Sequence, residues 1–370
     1  MNTKVAVRKC TVYDVNEVYT HISRIFGFCG GPGLRNRTVL LKPNILSDNP
    51  PEKCISTHPV VVEAMVRFLR DEGAKVVLGD SPAIHTRGFR AEKSGIENIC
   101  REYGIEWIDF SIDAALMKVR DRKIRIASVI NEVDLIISLP KLKNHELVYF
   151  TGAIKNTLGL VPGFSKAKLH ARYQDRESFS RFLVDLNERV TPHFFLMDGI
   201  MGMEGRGPGQ GTPANTGVLI GSENPLALDI IASEIIGYNP WDIPTNRIAL
   251  ARAVWLGSPD DIVYAGPPIE SIIKKDFRRI IIERNTNISI RFLRNRISFI
   301  RKLDRRPVFI HRNCTSCGEC IKICPSNALR MHAEKQNHVV LNDAACIRCY
   351  CCSEVCKHNA VVIRRKLLGV

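Results

Sequence analysis

The sequence predicts an α/β protein: a mostly parallel, doubly wound sheet domain followed by a small α+β module built on two cysteine runs. Three observations carry this. Short β-branched runs alternate with longer amphipathic ones across residues 1–268, the pattern of a parallel sheet covered by helices on both faces. The run CTSCGECIKICP at 314–325 is matched in cysteine spacing by CIRCYCCSEVC at 346–356, within a module spanning 307–370. The stretch between, 269–306, is dominated by Arg and Lys.

Composition sets the frame. The chain has 370 residues, 45% hydrophobic and 25% charged, which suits a folded soluble protein of two domains or one large domain with an appendage. The first twenty residues hold no apolar stretch of signal-peptide length, and no run approaches the roughly 18 apolar residues of a membrane span. A cytoplasmic location is the expectation. Thirteen cysteines in such a chain, eight of them in two tight clusters, read as metal ligands in a reducing compartment.

The strands are expected in the order VAVRK, TVLLK, KVVLGD, EWIDF, DLIISLP, HFFLMD and TGVLIG. HPVVVEAMVRFLRDEG and FRAEKSGIENICREYG place apolar residues at helical spacing, with Gly73 and Gly104 as stops. In open α/β sheets, ligands bind beyond the carboxyl ends of the strands, so the residues just past each strand are the first candidates. Four strands lead into Lys42-Pro43-Asn44, Asp80-Ser81-Pro82, the run from Pro140 to His145 that holds Lys141, Lys143 and Asn144, and Asp198-Gly199.

Two further stretches join these ends. TGAIKNTLGLVPG, 151–163, reads as a helix bearing Lys155 and Asn156, with His170 shortly after it. A lysine among small apolar residues is costly unless paired or functional. DGIMGMEGRGPGQGTP puts Glu204 among five glycines between 202 and 211, a loop whose N–H groups can approach a ligand closely. The expected catalytic groups are Lys155, His145, Lys141, Asp80 and Asp198. The expected substrate contacts are Lys42, Asn44, Lys143, Asn156, His170 and Glu204. Cations, histidine and carboxylates together suit a small anionic substrate with a lysine or histidine proton donor. No G-x-x-x-x-G-K-[ST], G-x-G-x-x-G or H-E-x-x-H occurs, which argues against a P-loop, a standard dinucleotide domain and a zinc peptidase.

The cysteine runs are more specific. Cys314, Cys317, Cys320 and Cys324 follow C-x2-C-x2-C-x3-C-P, and Cys346, Cys349, Cys352 and Cys356 repeat the spacing. Asn327-Ala328 and Asn359-Ala360 follow at the same offset, so the module is an internal duplication. In the two-cluster bacterial ferredoxin pattern, the fourth cysteine of each run binds the other cluster. This assigns Cys314, Cys317, Cys320 and Cys356 to one [4Fe–4S] centre and Cys346, Cys349, Cys352 and Cys324 to a second. Structural zinc would use two C-x2-C pairs across a longer loop. Radical adenosylmethionine chemistry wants C-x3-C-x2-C, which neither run contains. Lys357 stands where the second run would usually carry proline, and Cys351 is off-spacing and expected to pack. Strands are expected at 307–311, 328–332, 338–341 and 360–364.

The formal net charge is +15, with 13 Lys/Arg against 4 Asp/Glu between Glu270 and Arg312. NISIRFLRNRISFIRKL, 287–303, carries an apolar stripe at helical spacing. It reads as an amphipathic connector, a peripheral membrane contact or a docking site for an acidic electron-transfer protein. No binding motif or aromatic platform accompanies the charge, which argues against nucleic acid.

VLLKPNIL, GDSP, SLPKLKNHELVYFTGAIKNTLGLVPG and DGIMGMEGRGPGQGTP together resemble the family known as domain of unknown function 362. Its members often carry a C-terminal two-cluster ferredoxin module. The resemblance covers roughly 1–265 and 307–370 and implies an iron–sulfur protein without an assigned reaction. Two functions stand. One is an oxidoreductase moving electrons from the clusters to a substrate in the α/β pocket, with both clusters, a radical stage or a flavin joining one-electron steps into two. The other is an electron-transfer and docking module without its own catalysis. Within the enzyme reading, a non-redox variant would leave the clusters a structural or oxygen-sensing role.

Overall fold

The computed structural model describes residues 3–83, 88–163, 165–173, 175–282, 305–335 and 337–365. The larger part contains, in chain order, β1 (Thr3–Lys9), α1 (Val15–Cys29), β2 (Thr38–Pro43), α2 (Pro59–Asp71), β3 (Lys75–Gly79), α3 (Ile96–Glu102), β4 (Glu106–Ile108), β5 (Ala114–Val119), β6 (Arg122–Ala127), β7 (Leu135–Leu139), β8 (Lys141–His145), β9 (Tyr149–Thr151), α4 (Ala153–Asn156), α5 (Ser165–Arg172), α6 (Arg176–Val190), β10 (Phe194–Glu204), β11 (Thr212–Ser222), α7 (Pro225–Ile235), α8 (Pro244–Ala251) and β12 (Ile262–Ala265).

One ten-stranded sheet runs β12-β1-β11-β10-β7-β2-β3-β4, with β8 beside β10 and β9 beside β8. The half from β10 through β7, β2 and β3 to β4 is parallel. The antiparallel pairs are β1–β11, β10–β11 and β8–β9. The seven expected strands are all present. The β5–β6 hairpin was not expected, because its exposed face is charged and its run short. The strand β8 was not expected either, because KLKNH has no apolar alternation, yet every one of its residues is buried.

Neighbouring residues of the central strands enter different cores. Leu41, Ile137 and Leu196 face α1 and α2, where Ile22, Ile25, Met65 and Leu69 meet them. Leu40 and Ile136 face α6, against Phe182 and Leu186. Val5, Val7, Phe195 and Met197 meet Leu228, Ile231 and Ile235 of α7. A strand buried on both faces needs apolar residues in sequence, which is why DLIIS and HFFLM read as unbroken runs. Ile272, Phe277 and Ile280 join the α7 core, so residues 269–282, read as the start of the connector, pack on the sheet domain. The amphipathic stretch 287–303 lies outside the described residues.

Two chain breaks position the site. Pro140 ends β7 and its carbonyl accepts the Asp198 N–H at 2.9 Å; proline has no N–H to continue the ladder. The chain resumes as β8 against the second half of β10, where Lys141 is in register with Asp198. The expected helix over 151–163 is instead one α turn, α4, followed by a 3-10 turn at Thr157–Leu160. Asp229 of α7 anchors it by accepting the N–H groups of Ala153 at 2.6 Å and Ile154 at 3.1 Å.

The cysteine module contains β13 (Arg305–Phe309), α9 (Glu319–Lys322), β14 (Leu329–Met331), β15 (Val339–Leu341), α10 (Cys351–Glu354) and β16 (Val361–Arg365). β13 pairs with β16 and β14 with β15, both antiparallel, as the spacing of apolar runs predicted. Its α10 side docks on the sheet domain: Ala167 of α5 packs with Ile323, Cys351 and Val355.

The glycine loop makes the same contact. A Cβ at Gly209 would lie 2.7 Å from the Glu354 carbonyl oxygen, and one at Gly207 2.0 Å from that of Asn144. Gln210 donates to the Ser353 carbonyl at 2.6 Å. These glycines bring the loop against the protein's own backbone. Gly209→Val is therefore expected to push the module off the sheet domain. Small-angle scattering should show a larger radius of gyration with iron content unchanged.

Candidate functional site

Each half of the module encloses an apolar cavity rimmed by thiols. One is lined by Cys314, Cys317, Cys320 and Cys356 with Phe309, Val339 and Val361 among its walls. The other is lined by Cys324, Cys346, Cys349 and Cys352, with Cys351 also at its edge. Four thiols converging on a small apolar chamber suit an iron–sulfur cluster. The repeated Asn-Ala has a physical role here. Asn327 and Asn359 take φ 51° and 53°, the left-handed region that asparagine tolerates. That bend aims the Ala328 and Ala360 N–H groups at Cys324 and Cys356 Sγ, both at 3.3 Å. An N–H donor stabilises the charged thiolate and tunes a bound cluster.

A third space lies between the module and the strand ends, a half-open cleft. Of the expected site residues, Asn44, Asp80, Lys143, Lys155, Asn156 and His170 line it. Ser81, Thr151 and Lys166 join them, and the module contributes Ile323, Cys351, Glu354 and Val355.

Asp80 is held in place at the wall of the cleft. Its Oδ1 lies 2.8 Å from Lys42 Nζ, with both side chains buried, and its Oδ2 accepts the Ile45 N–H at 2.6 Å. β2 and β3 are adjacent and parallel, which brings the two residues together. Gly159 covers the pair; a Cβ there would lie 2.0 Å from Asp80 Oδ1. Lys42 therefore supports the site from beneath and does not line it. Burial pushes its ammonium pKa down, opposed by Asp80.

Asn156 is fully committed. Its Oδ1 accepts from Asn44 Nδ2 at 3.0 Å and its Nδ2 donates to Ser138 Oγ at 2.8 Å. Lys143 Nζ donates to the Ile55 carbonyl at 2.6 Å, and Lys166 Nζ to the carbonyls of Ser81 and Pro82. Burial brings Lys166 down to about 7, with Asp80 opposing and Lys42 and Lys155 assisting.

Lys155 differs from these. Among the described residues its Nζ has no hydrogen bond or ion pair. Burial lowers its pKa, and Glu354 works against that shift. Three buried polar atoms lining the same cleft also lack hydrogen-bond partners among the described residues: Asn44 Oδ1, Thr151 Oγ1 and His170 Nδ1. Native interiors leave few such groups, because each costs about 1–3 kcal/mol. They share the cleft with one cation that has no partner among the described residues.

Glu354 faces His145, with Oε1 3.3 Å from Nε2. His145 Nδ1 accepts the N–H groups of Leu147 and Val148. That fixes the proton of the neutral ring on Nε2, toward Glu354. Burial brings His145 to about 4, with Lys155 assisting and Glu354 opposing. Burial also brings His170 to about 4. For Glu354, burial acts upward, but His145, His170 and Lys155 outweigh it and hold the carboxyl well below the usual range.

Three expected site residues lie elsewhere. Lys141 and Asp198 form a buried pair at 2.7 Å, capped by the Tyr13 hydroxyl and the His58 N–H. This network is satisfied internally and lines no part of the cleft. Glu204 pairs with Arg278, on the far end of β10. The register of β10 explains the split, since its residues past Asp198 run away from the strand ends. Glu354 was missed, although a signal existed. In the duplication it aligns with Lys322, so the two runs carry opposite charges at one equivalent position.

Among the described residues, no helix is long and apolar enough to cross a membrane. A thylakoid-associated protein of Synechocystis is 32% identical over 253 residues, covering 66% of this chain and 78% of that protein. The lactate racemase apoprotein of Thermoanaerobacterium thermosaccharolyticum superposes with a TM-score of 0.44 at 12% identity, over 62% of this chain and 56% of that one. A Thermotoga maritima protein of known structure gives 0.36 at 12%, over 56% and 55%. The chain thus spans little more than half the length of either solved protein. Residues 313–360 match the 4Fe-4S dicluster domain, which makes this an iron–sulfur-binding protein with a ferredoxin-type domain suited to electron transfer. Residues 39–234 match the pattern described as domain of unknown function 362, and the chain belongs to that family.

Proposed function

We propose that the protein is an oxidoreductase that passes electrons through two [4Fe–4S] clusters to a small anionic substrate in the cleft. Residues 1–268 supply most of the cleft and 307–370 supply the clusters. Cys314, Cys317, Cys320 and Cys356 hold one cluster, and Cys346, Cys349, Cys352 and Cys324 the other. When bound, the clusters supply electrons one at a time.

The chain's own residues do the rest. The unpaired Lys155 ammonium attracts the anion, and Asn44, Thr151 and His170 offer unused hydrogen-bonding atoms to orient it. Lys155 is also the proton donor, because burial weakens its hold on the proton. Lys42 and Asn156 keep Asp80 and Asn44 fixed. Glu354 orients His145 at the junction of the two parts. The observation that carries this reading is the gathering of unpartnered polar atoms around Lys155 beside a segment bearing cluster cysteines.

The test is anaerobic. The reduced full-length protein is challenged with small carboxylates and phosphates while its visible absorbance is followed. Substrate-dependent reoxidation is expected. Lys155→Met should slow it about 10–100-fold, the equivalent of a charged hydrogen bond of about 1.5–3 kcal/mol, with iron content unchanged. Reoxidation by other redox proteins alone, and by no small anion, would leave an electron carrier without its own catalysis.

A further inference from the structure

We infer that electrons enter at the cavity of Cys314, Cys317, Cys320 and Cys356, and that the face around it receives an acidic one-electron carrier protein. The order of the clusters rests on the proposed reading of the cleft as the electrons' destination; the docking face stands on its own geometry.

The two cavities face different ways. Thr315, Ser316 and Cys317 are exposed, so the first cavity sits behind a thin, solvent-facing loop. Cys346, Cys349 and Cys352 are buried. Cys351 lines both the second cavity and the cleft, so one side chain separates them. Tunnelling falls steeply with distance. The outer cavity is thus the one within reach of another protein, and the inner one the one within reach of the cleft. The exchange of Cys324 and Cys356 between the halves places the two cavities next to each other.

Charge favours the same face. Arg312 precedes Cys314, Lys322 follows Cys320 and Lys357 follows Cys356, all exposed. Glu319, on the cavity's own lining, lies 3.9 Å from Lys322 and is offset by it. Arg312 and Lys357 have no ion pair among the described residues. Beside the inner cavity, Asp343 offsets part of the charge of Arg348 at 2.8 Å and Arg306 at 3.5 Å. At the outer rim the exposed Arg312 and Lys357 have no such carboxylate among the described residues, and there they steer and orient an acidic partner. Each encounter oxidises the carrier by one electron and reduces the protein by one, with no proton moved. Two encounters supply a two-electron reduction in the cleft.

The experiment uses the full chain with its clusters and, as probe, a reduced acidic bacterial-type ferredoxin in stopped flow. Arg312→Glu/Lys357→Glu is expected to lower the bimolecular rate about tenfold or more at low salt and to flatten its salt dependence. Reduction by photoreduced deazaflavin should be unchanged, as should the carrier rate of Lys123→Glu on the β5–β6 hairpin. An unchanged carrier rate and salt slope in the double variant would overturn the docking face. Cys317→Ser is expected to slow reduction by the carrier more than reoxidation through the cleft, and the reverse would overturn the order. If charge reversal slows the carrier while no anion reoxidises the protein, the docking face stands and the destination falls.

Discussion

Cys324→Ala removes the cluster of the second cysteine run and spares that of its own. Cys324 sits in the first run, but its side chain lines the cavity of Cys346, Cys349 and Cys352. Cys356, from the second run, lines the cavity of the first. Iron should fall from about eight to about four atoms per chain. The surviving paramagnetic signal should match that of Cys349→Ala, not that of Cys317→Ala. Cys356→Ala should give the mirror result. If each variant instead extinguished the signal of its own run, the two halves would be independent sites and the exchange of cysteines would be wrong. The energetic reason for a large effect is that a cluster's binding free energy is part of the module's folding free energy. The strand pair β13–β16 is too small to hold the second cavity open alone.

Asp80→Asn lowers the unfolding free energy of the sheet domain by about 3–5 kcal/mol, because it leaves the Lys42 charge buried without its partner. Asp80 also accepts the N–H groups of Ile45 and Ser81, and an amide cannot accept both on two oxygens. Lys42→Met should cost a similar amount by stranding the carboxylate. The double variant should cost clearly less than the sum, since neither charge then remains. Urea unfolding of the three variants checks this. Additive losses would mean that the two groups do not act as a pair. Since domains are stable by only about 5–15 kcal/mol, either single change should visibly lower the yield of folded protein.

Much of this was legible in the sequence, and the parts that were not have identifiable causes. DLIIS and HFFLM revealed central strands because a strand buried on two faces must be apolar throughout. The repeated Asn-Ala exposed the duplication, although its purpose needed the positive φ and the N–H to sulfur contacts. Asn44, Asp80, Lys143, Lys155, Asn156 and His170 are legible as lining one cleft because strand ends and the turn after β9 converge. Lys141 and Asp198 were drawn into the same set because residue type alone does not say whether a buried cation faces a cleft or a carboxylate. Glu204 was included because glycine-rich loops often hold ligands, whereas here Gly209 makes room for the Glu354 carbonyl. Glu354 is hard to read as a site residue because its contact with the sheet domain is long-range, and only its charge, opposite to that of Lys322 at the equivalent position of the duplication, marks it.

The turn that bears Cys351 and Glu354 lies between Cys349 and Cys356, one in each thiol-lined chamber. Its shape is therefore tied to metal loading. Loss of a cluster would loosen the one segment that sets Glu354 against His145 and closes the cleft beside Lys155. On the proposed reading, filling the thiol chambers and enclosing the cleft would then be one event, so that a chain with no electrons to give would offer no finished binding place.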